Sequence, residues 1–209
     1  RVLFRSLEGV RQIGLDALPW DRDTRSLQAR MEFVRRLERS DTRDWPASDD
    51  ASLLRTVDEW LAPWLEGCNR RDHLSRVPLA DALLARLTHA QRQQLNTLAP
   101  REQRVPSGSN IRIDYQDDSA PCISVRLHEV FGLAETPRIG GGVVPITFKL
   151  LSPAQRPVQI TQDLAGFWRS SYTEVRKDMR GRYPRHHWPE NPLEAAPTTR
   201  SLKKPPRPR

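Results

Sequence analysis

Ile146-Thr147-Phe148-Lys149-Leu150 is the stretch on which the fold turns. Apolar Ile146, Phe148 and Leu150 alternate with polar Thr147 and Lys149, the period of a strand with one buried face. The same alternation recurs in Ile111-Arg112-Ile113-Asp114-Tyr115, in Ile123-Ser124-Val125-Arg126-Leu127 and in Val158-Gln159-Ile160. Four half-buried strands are therefore expected. Val105-Pro106-Ser107-Gly108-Ser109 turns the chain into the first, and Asp117-Asp118-Ser119-Ala120-Pro121 separates the first two at hairpin distance. The longer connection from Glu129 to Gly142 ends on three pliable glycines, Gly140 to Gly142.

After the last strand the period changes to that of a helix. Leu164, Phe167, Trp168, Val175 and Met179 mark one from about Asp163 to Arg180, with Thr161 as its cap and Gly181 at the left-handed position that ends it. Strands with one apolar face need a cover, so Leu164, Phe167, Trp168 and Val175 are expected to form the lid. Trp168→Ala should then be the most disruptive change in this half.

Toward the N-terminus the pattern is helical throughout. Leu7 and Val10 belong to a first helix with Val2 and Leu3, stopped by Pro19; Leu27, Met31, Val34 and Leu37 mark a second, capped by Asp23 or Thr24. A third carries Leu53, Leu54, Val57, Trp60, Leu61 and Trp64, with Asp49 and Asp50 in its first turn and Gly67 closing it. Pro78 suits the first turn of a fourth, and Thr88 caps a fifth that ends before Pro100. The expected fold class is α+β: a helical part over residues 1–100, a small mainly antiparallel sheet with its covering helix over 101–194, and a basic, proline-rich disordered tail over 195–209.

Composition supports a soluble chain with an unpacked end. Apolar residues make up 37% of the 209, below the usual roughly 45–50%. Nothing approaches the roughly 18 consecutive apolar residues of a membrane helix, so a cytoplasmic location without a membrane partner is expected. The opening Arg1 in place of a Met points to a piece of a longer protein. Cys68 and Cys122 are too few for a disulfide scaffold or a cysteine-based zinc site and read as reduced, structural thiols.

Charge is concentrated at one end. The net charge is +8, and residues 176–209 hold ten basic groups against Asp178, Glu190 and Glu194. Such a block is the footprint of a polyanion partner, or else a solubilising tail.

Catalytic constellations are not legible. Neither Cys68 nor Ser170-Ser171 sits in a glycine-flanked nucleophile turn. His186 and His187, adjacent in sequence, point apart on most backbones, so no metal site is expected. The glycine run leads into a strand, unlike a phosphate loop, which opens a helix. Asp49-Asp50 and Asp117-Asp118 are explained by a helix start and a hairpin tip.

The segment from Val175 to Glu190 interleaves basic and aromatic side chains. Arg176 and Arg180 share a helix face with Lys177 beside them; Arg182, Tyr183, Arg185, His186 and Trp188 follow in turn or extended backbone. Guanidinium groups bind phosphate and aromatic rings stack on exposed bases, so these eight residues form a candidate single-strand contact. The alternative is that Tyr183 and Trp188 bury their rings and pin the tail to the helix.

The motifs around this segment carry a family likeness. Leu151-Ser152-Pro153-Ala154-Gln155-Arg156-Pro157-Val158-Gln159-Ile160-Thr161 runs into Asp163-Leu164-Ala165-Gly166-Phe167-Trp168, then Arg180-Gly181-Arg182-Tyr183-Pro184 and His187-Trp188-Pro189-Glu190-Asn191-Pro192. With Val105 to Ser109, Phe131-Gly132-Leu133-Ala134-Glu135-Thr136-Pro137 and Glu59-Trp60-Leu61-Ala62-Pro63, the chain resembles the C-terminal region of the HrpB-type bacterial ATP-dependent helicases, relatives of the DEAH-box enzymes. The resemblance implies a parent that couples ATP and Mg chemistry in two RecA-like motor domains to movement on RNA. The motor motifs are not in this sequence, so no catalytic, cofactor or metal residue carries over. It implies an accessory domain that contacts RNA or other single-stranded nucleic acid and the rest of the helicase chain. The alternative is a structural or protein-interaction domain that braces the motor or docks a protein partner.

Overall fold

The computed structural model describes residues 2–37, 40–42, 44–66, 71–116 and 120–199. They form an α+β chain in two units, Arg1–Ala99 and Pro100–Arg209.

The first unit is helical. Its elements are α1 (Val2–Ile13), α2 (Arg22–Arg36), α3 (Asp50–Arg55), α4 (Val57–Trp60), α5 (Leu79–Ala85) and α6 (His89–Leu98), with short 3-10 turns at Leu15–Ala17 and Ala62–Trp64. Gly14, at φ 92°, ends α1 in a backbone conformation that costs a side chain dearly. The cap of α2 is Asp21 rather than Asp23 or Thr24: its carboxylate accepts the Thr24 N–H at 2.7 Å while the Thr24 hydroxyl accepts the Asp21 N–H at 2.8 Å. The expected third helix is broken. Thr56 turns its hydroxyl back onto the Ser52 carbonyl, and α3 stops there; Asp49 is its cap, outside the first turn. Pro63 then tightens the end of the segment into a 3-10 turn. Leu54 and Trp64 are in consequence only half-buried, while Leu53, Val57, Trp60, Leu61 and Leu65 reach the core. Gly67 lies outside the described residues. Pro78 precedes α5 as its N-cap residue, and Thr88 caps α6 in a reciprocal box with Gln91.

Arg30 of α2 is buried beside these apolar groups, at 1% exposure. Its Nε donates to the Ala99 carbonyl at 2.6 Å, and one terminal nitrogen donates to Asn96 Oδ1 at 2.9 Å. The cation thereby satisfies the C-terminal end of α6, where carbonyls lack helical partners and the dipole is negative.

The second unit holds the strands. Glu102–Arg104 (β1) and Asn110–Arg112 (β2) form an antiparallel hairpin. β1 was not expected, because Glu-Gln-Arg has no apolar alternation. Past Arg112 the expected first strand reduces to one bridge, in which Asp114 and Cys122 exchange N–H···O bonds of 2.8 and 2.9 Å. That closes the predicted hairpin at its base; its Asp117 to Ser119 tip lies outside the described residues.

The main sheet is β3 (Cys122–Arg126), β6 (Thr147–Leu151) and β7 (Pro157–Thr161), in the order β3-β6-β7. β6 pairs antiparallel with β7 but parallel with β3. A parallel pair needs a long crossover. The crossover contains a 3-10 turn at Leu127–Glu129 and the small hairpin of β4 (Arg138–Ile139) and β5 (Val144–Pro145). Gly140, Gly141 and Gly142 close that hairpin as a left-handed turn, at φ 65°, 73° and 84°, with Val143 N–H donating to Ile139.

One sheet face is core: Ile123, Val125, Phe148 and Leu150 are at most 2% exposed. Register sends the apolar residues of β7 the other way. Ile160 stands opposite Lys149 and is 59% exposed, while Gln159 stands opposite Leu150. Alternation alone does not say which face is buried; pairing does.

The expected lid helix is two helices, α7 (Leu164–Arg169) and α8 (Tyr172–Arg182). The Ser170 hydroxyl donates to the Gly166 carbonyl at 2.7 Å and α7 ends there. Asp163, not Thr161, is its cap, accepting from Gly166 N–H. Gly181 lies inside α8, and Tyr183 follows the helix, so the predicted left-handed stop is absent. Leu164, Phe167 and Trp168 are buried as expected; Val175 is half-buried. Phe167, Trp168 and Tyr172 make mutual tilted or edge contacts, and both Trp168 and Tyr172 meet Phe131. Trp168 Nε1 donates to the Leu133 carbonyl at 2.8 Å. The predicted disordered tail falls mostly on residues 200–209, outside the described residues. Before it, Thr198 N–H still donates to His128.

Candidate nucleic-acid interface

The eight basic and aromatic residues divide into two groups. Arg176, Tyr183, His186 and Trp188 are spent on the fold. Arg176, on α8, donates from Nε to the Trp188 carbonyl at 3.0 Å and from a terminal nitrogen to Glu190 at 3.1 Å. Trp188 is 6% exposed, and its indole N–H donates to the Tyr183 carbonyl. Tyr183 is half-buried, 3.4 Å from the Ser152 hydroxyl. The Tyr172 hydroxyl holds the Pro189 carbonyl at 2.9 Å.

His186 is half-buried between rings, its centroid 5.4 Å from that of His128, 6.2 Å from Tyr183 and 6.4 Å from Trp188. Burial pulls its pKa below the ordinary histidine value, and Arg126 adds to the shift. His128 is buried more deeply, and burial with the neighbouring His186 lowers its pKa to about 4. The segment after α8 is thus strapped over Leu127–Gly132. Gly132 N–H donates to the Pro192 carbonyl, the next tie along that strap.

The other four face water. Lys177, Arg180 and Arg185 are exposed and form no ion pair among the described residues. Arg182 is exposed too, and bonds Asp178 one turn earlier at 2.9 Å. The predicted arginine pair of Arg176 and Arg180 is therefore split: one member holds the strap, the other is open to solvent.

Residues outside the predicted set belong to the same unit's polar surface. Ser124 and Arg126, two apart on β3, share the outward face of the sheet with Lys149 and Ile160. Their alternation was readable in the sequence; that Ser124 and Ile160 stand exposed on this face was not. The glycine turn offers no phosphate cradle. The Arg138 guanidinium donates to the Gly142 and Val143 carbonyls, and the turn leads into β5, not a helix. Among the described residues no cluster of three or more His, Cys, Asp or Glu side chains could hold a metal ion, and no helix is long and apolar enough to cross a membrane.

The chain is thus a helical unit followed by a small mixed sheet with a strapped-down C-terminal segment. The family model described as ATP-dependent helicase C-terminal matches residues 60–192, and the chain belongs to that family. It is 42% identical over 197 residues to the ATP-dependent RNA helicase HrpB of Escherichia coli (strain K12), covering 94% of this chain and 24% of that protein. It also matches a crystal structure of the E. coli DExH-box NTPase HrpB, with TM-score 0.85 and 42% identity over 93% of this chain and 24% of that one. A second crystal structure, of the E. coli DEAH/RHA helicase HrpB, matches with TM-score 0.71 and 40% identity over 87% of this chain and 23% of that one. The chain spans about a quarter of the length of the curated relative it matches.

Proposed function

We propose that this chain is the accessory C-terminal part of an ATP-dependent RNA helicase and gives that machine a contact to single-stranded RNA. Family membership supports the first half of the reading. The observation that carries the second is the open group Lys177, Arg180 and Arg185 on and just beyond α8. Cations free of local carboxylates retain their full attraction for phosphate, and each phosphate neutralised releases a counterion. Arg176, Tyr183, His186 and Trp188 act here by holding the strap that positions Arg185, not by stacking on bases. ATP hydrolysis, with Mg, belongs in this reading to motor domains outside the chain, in the cytoplasm. The residues present do not fit ATP, since the one glycine-rich turn is closed by Arg138.

The test is fluorescence anisotropy of labelled single-stranded RNA against this chain at several salt concentrations. The parent should bind with a steep salt dependence. Lys177→Ala/Arg180→Ala/Arg185→Ala should bind more weakly and flatten the log–log slope by about 2, at roughly 0.7 per lost phosphate contact. Point substitutions are preferable to truncation after Pro184, which would also remove the buried Trp188 ring. A parent that fails to bind at low salt would overturn the RNA contact. It would favour the bracing reading, which the internal use of Arg176 and Trp188 supports.

A further inference from the structure

The helices α6 and α8 finish in opposite ways. At α6 the Arg30 guanidinium fills the carbonyl end. At α8 the Tyr183 N–H donates to the Met179 carbonyl at 2.7 Å, the last bond of the helical ladder. Pro184 has no N–H to offer the Arg180 carbonyl, and the His186 N–H turns to the Tyr183 carbonyl instead. Among the described residues the carbonyls of Arg180, Gly181 and Arg182 accept no hydrogen bond. All three residues are exposed.

The fold gives no reason for a glycine at 181. The residue is helical, its φ is not positive, and a Cβ added there meets nothing within 4 Å. Alanine fits the same backbone and favours the helix, so glycine here is a cost without a steric return. What it leaves is a bare patch of main chain in the last turn of α8. Lys177, one turn earlier, shares the face of Gly181; Arg180 precedes it, and Arg185 follows the turn at Pro184. These are the three open cations. The Arg182 guanidinium beside them is engaged by Asp178.

Free carbonyls at the negative end of a helix dipole attract a donor and repel an anion. Phosphate therefore goes to the cations, and the group that meets the bare turn must donate. Along a sugar–phosphate backbone RNA has such a donor on every sugar, the 2′-hydroxyl, and DNA has none. We infer that the bare last turn of α8 at Gly181 reads the ribose 2′-hydroxyl of single-stranded RNA and so favours RNA over DNA of the same sequence. The inference rests on the RNA contact proposed above and gives it a selectivity that cations alone lack, since Lys177, Arg180 and Arg185 meet the same phosphates in both polymers. Gly181 is the specificity-determining residue: having no side chain, it lets the sugar come within hydrogen-bond reach of the carbonyls of its turn.

The experiment measures anisotropy with labelled single-stranded oligomers of one sequence: RNA, DNA with deoxyuridine for uridine, and RNA carrying 2′-fluoro groups throughout. The 2′-fluoro oligomer keeps the sugar pucker of RNA but has no 2′ donor, which separates the hydroxyl from backbone shape. The parent should bind RNA about fivefold more tightly than either of the others, the worth of one net hydrogen bond. Gly181→Ala and Gly181→Gln should lose that preference, the larger side chain more completely, by weakening RNA alone. Affinity for DNA and the salt slope should stay as in the parent, and Gly181→Ala should melt at or above the parent's temperature. Lys177→Ala/Arg180→Ala/Arg185→Ala should do the reverse, weakening all the oligomers and flattening the slope. Equal binding of RNA and 2′-fluoro RNA by the parent would overturn the hydroxyl reading and leave the cation contact standing. An RNA preference that survives both Gly181 substitutions would do the same. A parent that binds none of the oligomers would overturn both readings.

Discussion

The two units bury the ends of their elements by different means. In Arg1–Ala99 a cation does it: Arg30 lies among apolar groups and satisfies the carbonyl end of α6. In Pro100–Arg209 aromatic rings do it: Phe131, Phe167, Trp168 and Tyr172 interlock, and Tyr172 and Trp168 each spend their one polar atom on a loop carbonyl. Rings supply large apolar area and need only one hydrogen bond each. A guanidinium supplies several hydrogen bonds but must be fully satisfied to be buried at all. At these element ends the helical unit relies on hydrogen-bond geometry, and the strand-bearing unit on ring volume spread over several contacts.

Removing volume should show the largest effect. Trp168→Ala deletes a ring that touches three others and orphans the Leu133 carbonyl, and should cost about 3–5 kcal/mol. Chemical denaturation followed by tryptophan fluorescence and by circular dichroism would measure it. A cost below about 1 kcal/mol would break the claim that rings carry the second unit.

Acid should act on the same unit almost as strongly. His128 is held neutral, with a pKa of about 4 against the ordinary 6.5, by burial and by His186 and Arg126, opposed by Glu129. Between those values the unfolded chain binds a proton that the folded chain does not. Stability is full above pH 6.5 and falls as the pH drops toward 4, by about 3 kcal/mol in total. His128→Leu should flatten that part of the stability–pH curve; an unchanged curve would mean that the strap does not depend on a neutral His128.

Arg30→Met sharpens the other side of the comparison. It keeps the stem and removes the donors, leaving the Ala99 carbonyl and Asn96 unsatisfied, and should cost about 2–3 kcal/mol. A neutral outcome in a thermal melt would mean that water replaces the guanidinium there. Arg182→Ala should do least. Its partner Asp178 is one turn away on an exposed face, and such pairs are worth at most about 0.5 kcal/mol. A larger loss in the same melt would give Arg182 a structural part that its exposure does not show.

The basic segment shows how legibility stops. Its residues were readable as a group because arginine, histidine and aromatic side chains cluster in sequence. Their division into strap and open surface was not. Arg176 and Arg180 have the same chemistry and helical spacing, and they differ only in that Glu190 and the Trp188 carbonyl come round to meet one of them. The reading that Tyr183 and Trp188 pin the tail was available from the sequence beside the stacking reading, and the buried ring of Trp188 fits it.

By itself the sequence determined the α+β class, the helical first half, the position of β3, β6 and β7, the cap at Thr88, and the helicase family. These are local properties, set by period and by side chains within a few residues of one another. Only the tertiary structure decided the parallel pairing of β3 with β6, the outward turn of Ile160 and the use of Arg30 and Arg176. Each depends on a partner 12 or more positions away or on a register that alternation leaves open, and in each the deciding energy comes from burial and hydrogen-bond satisfaction across that distance.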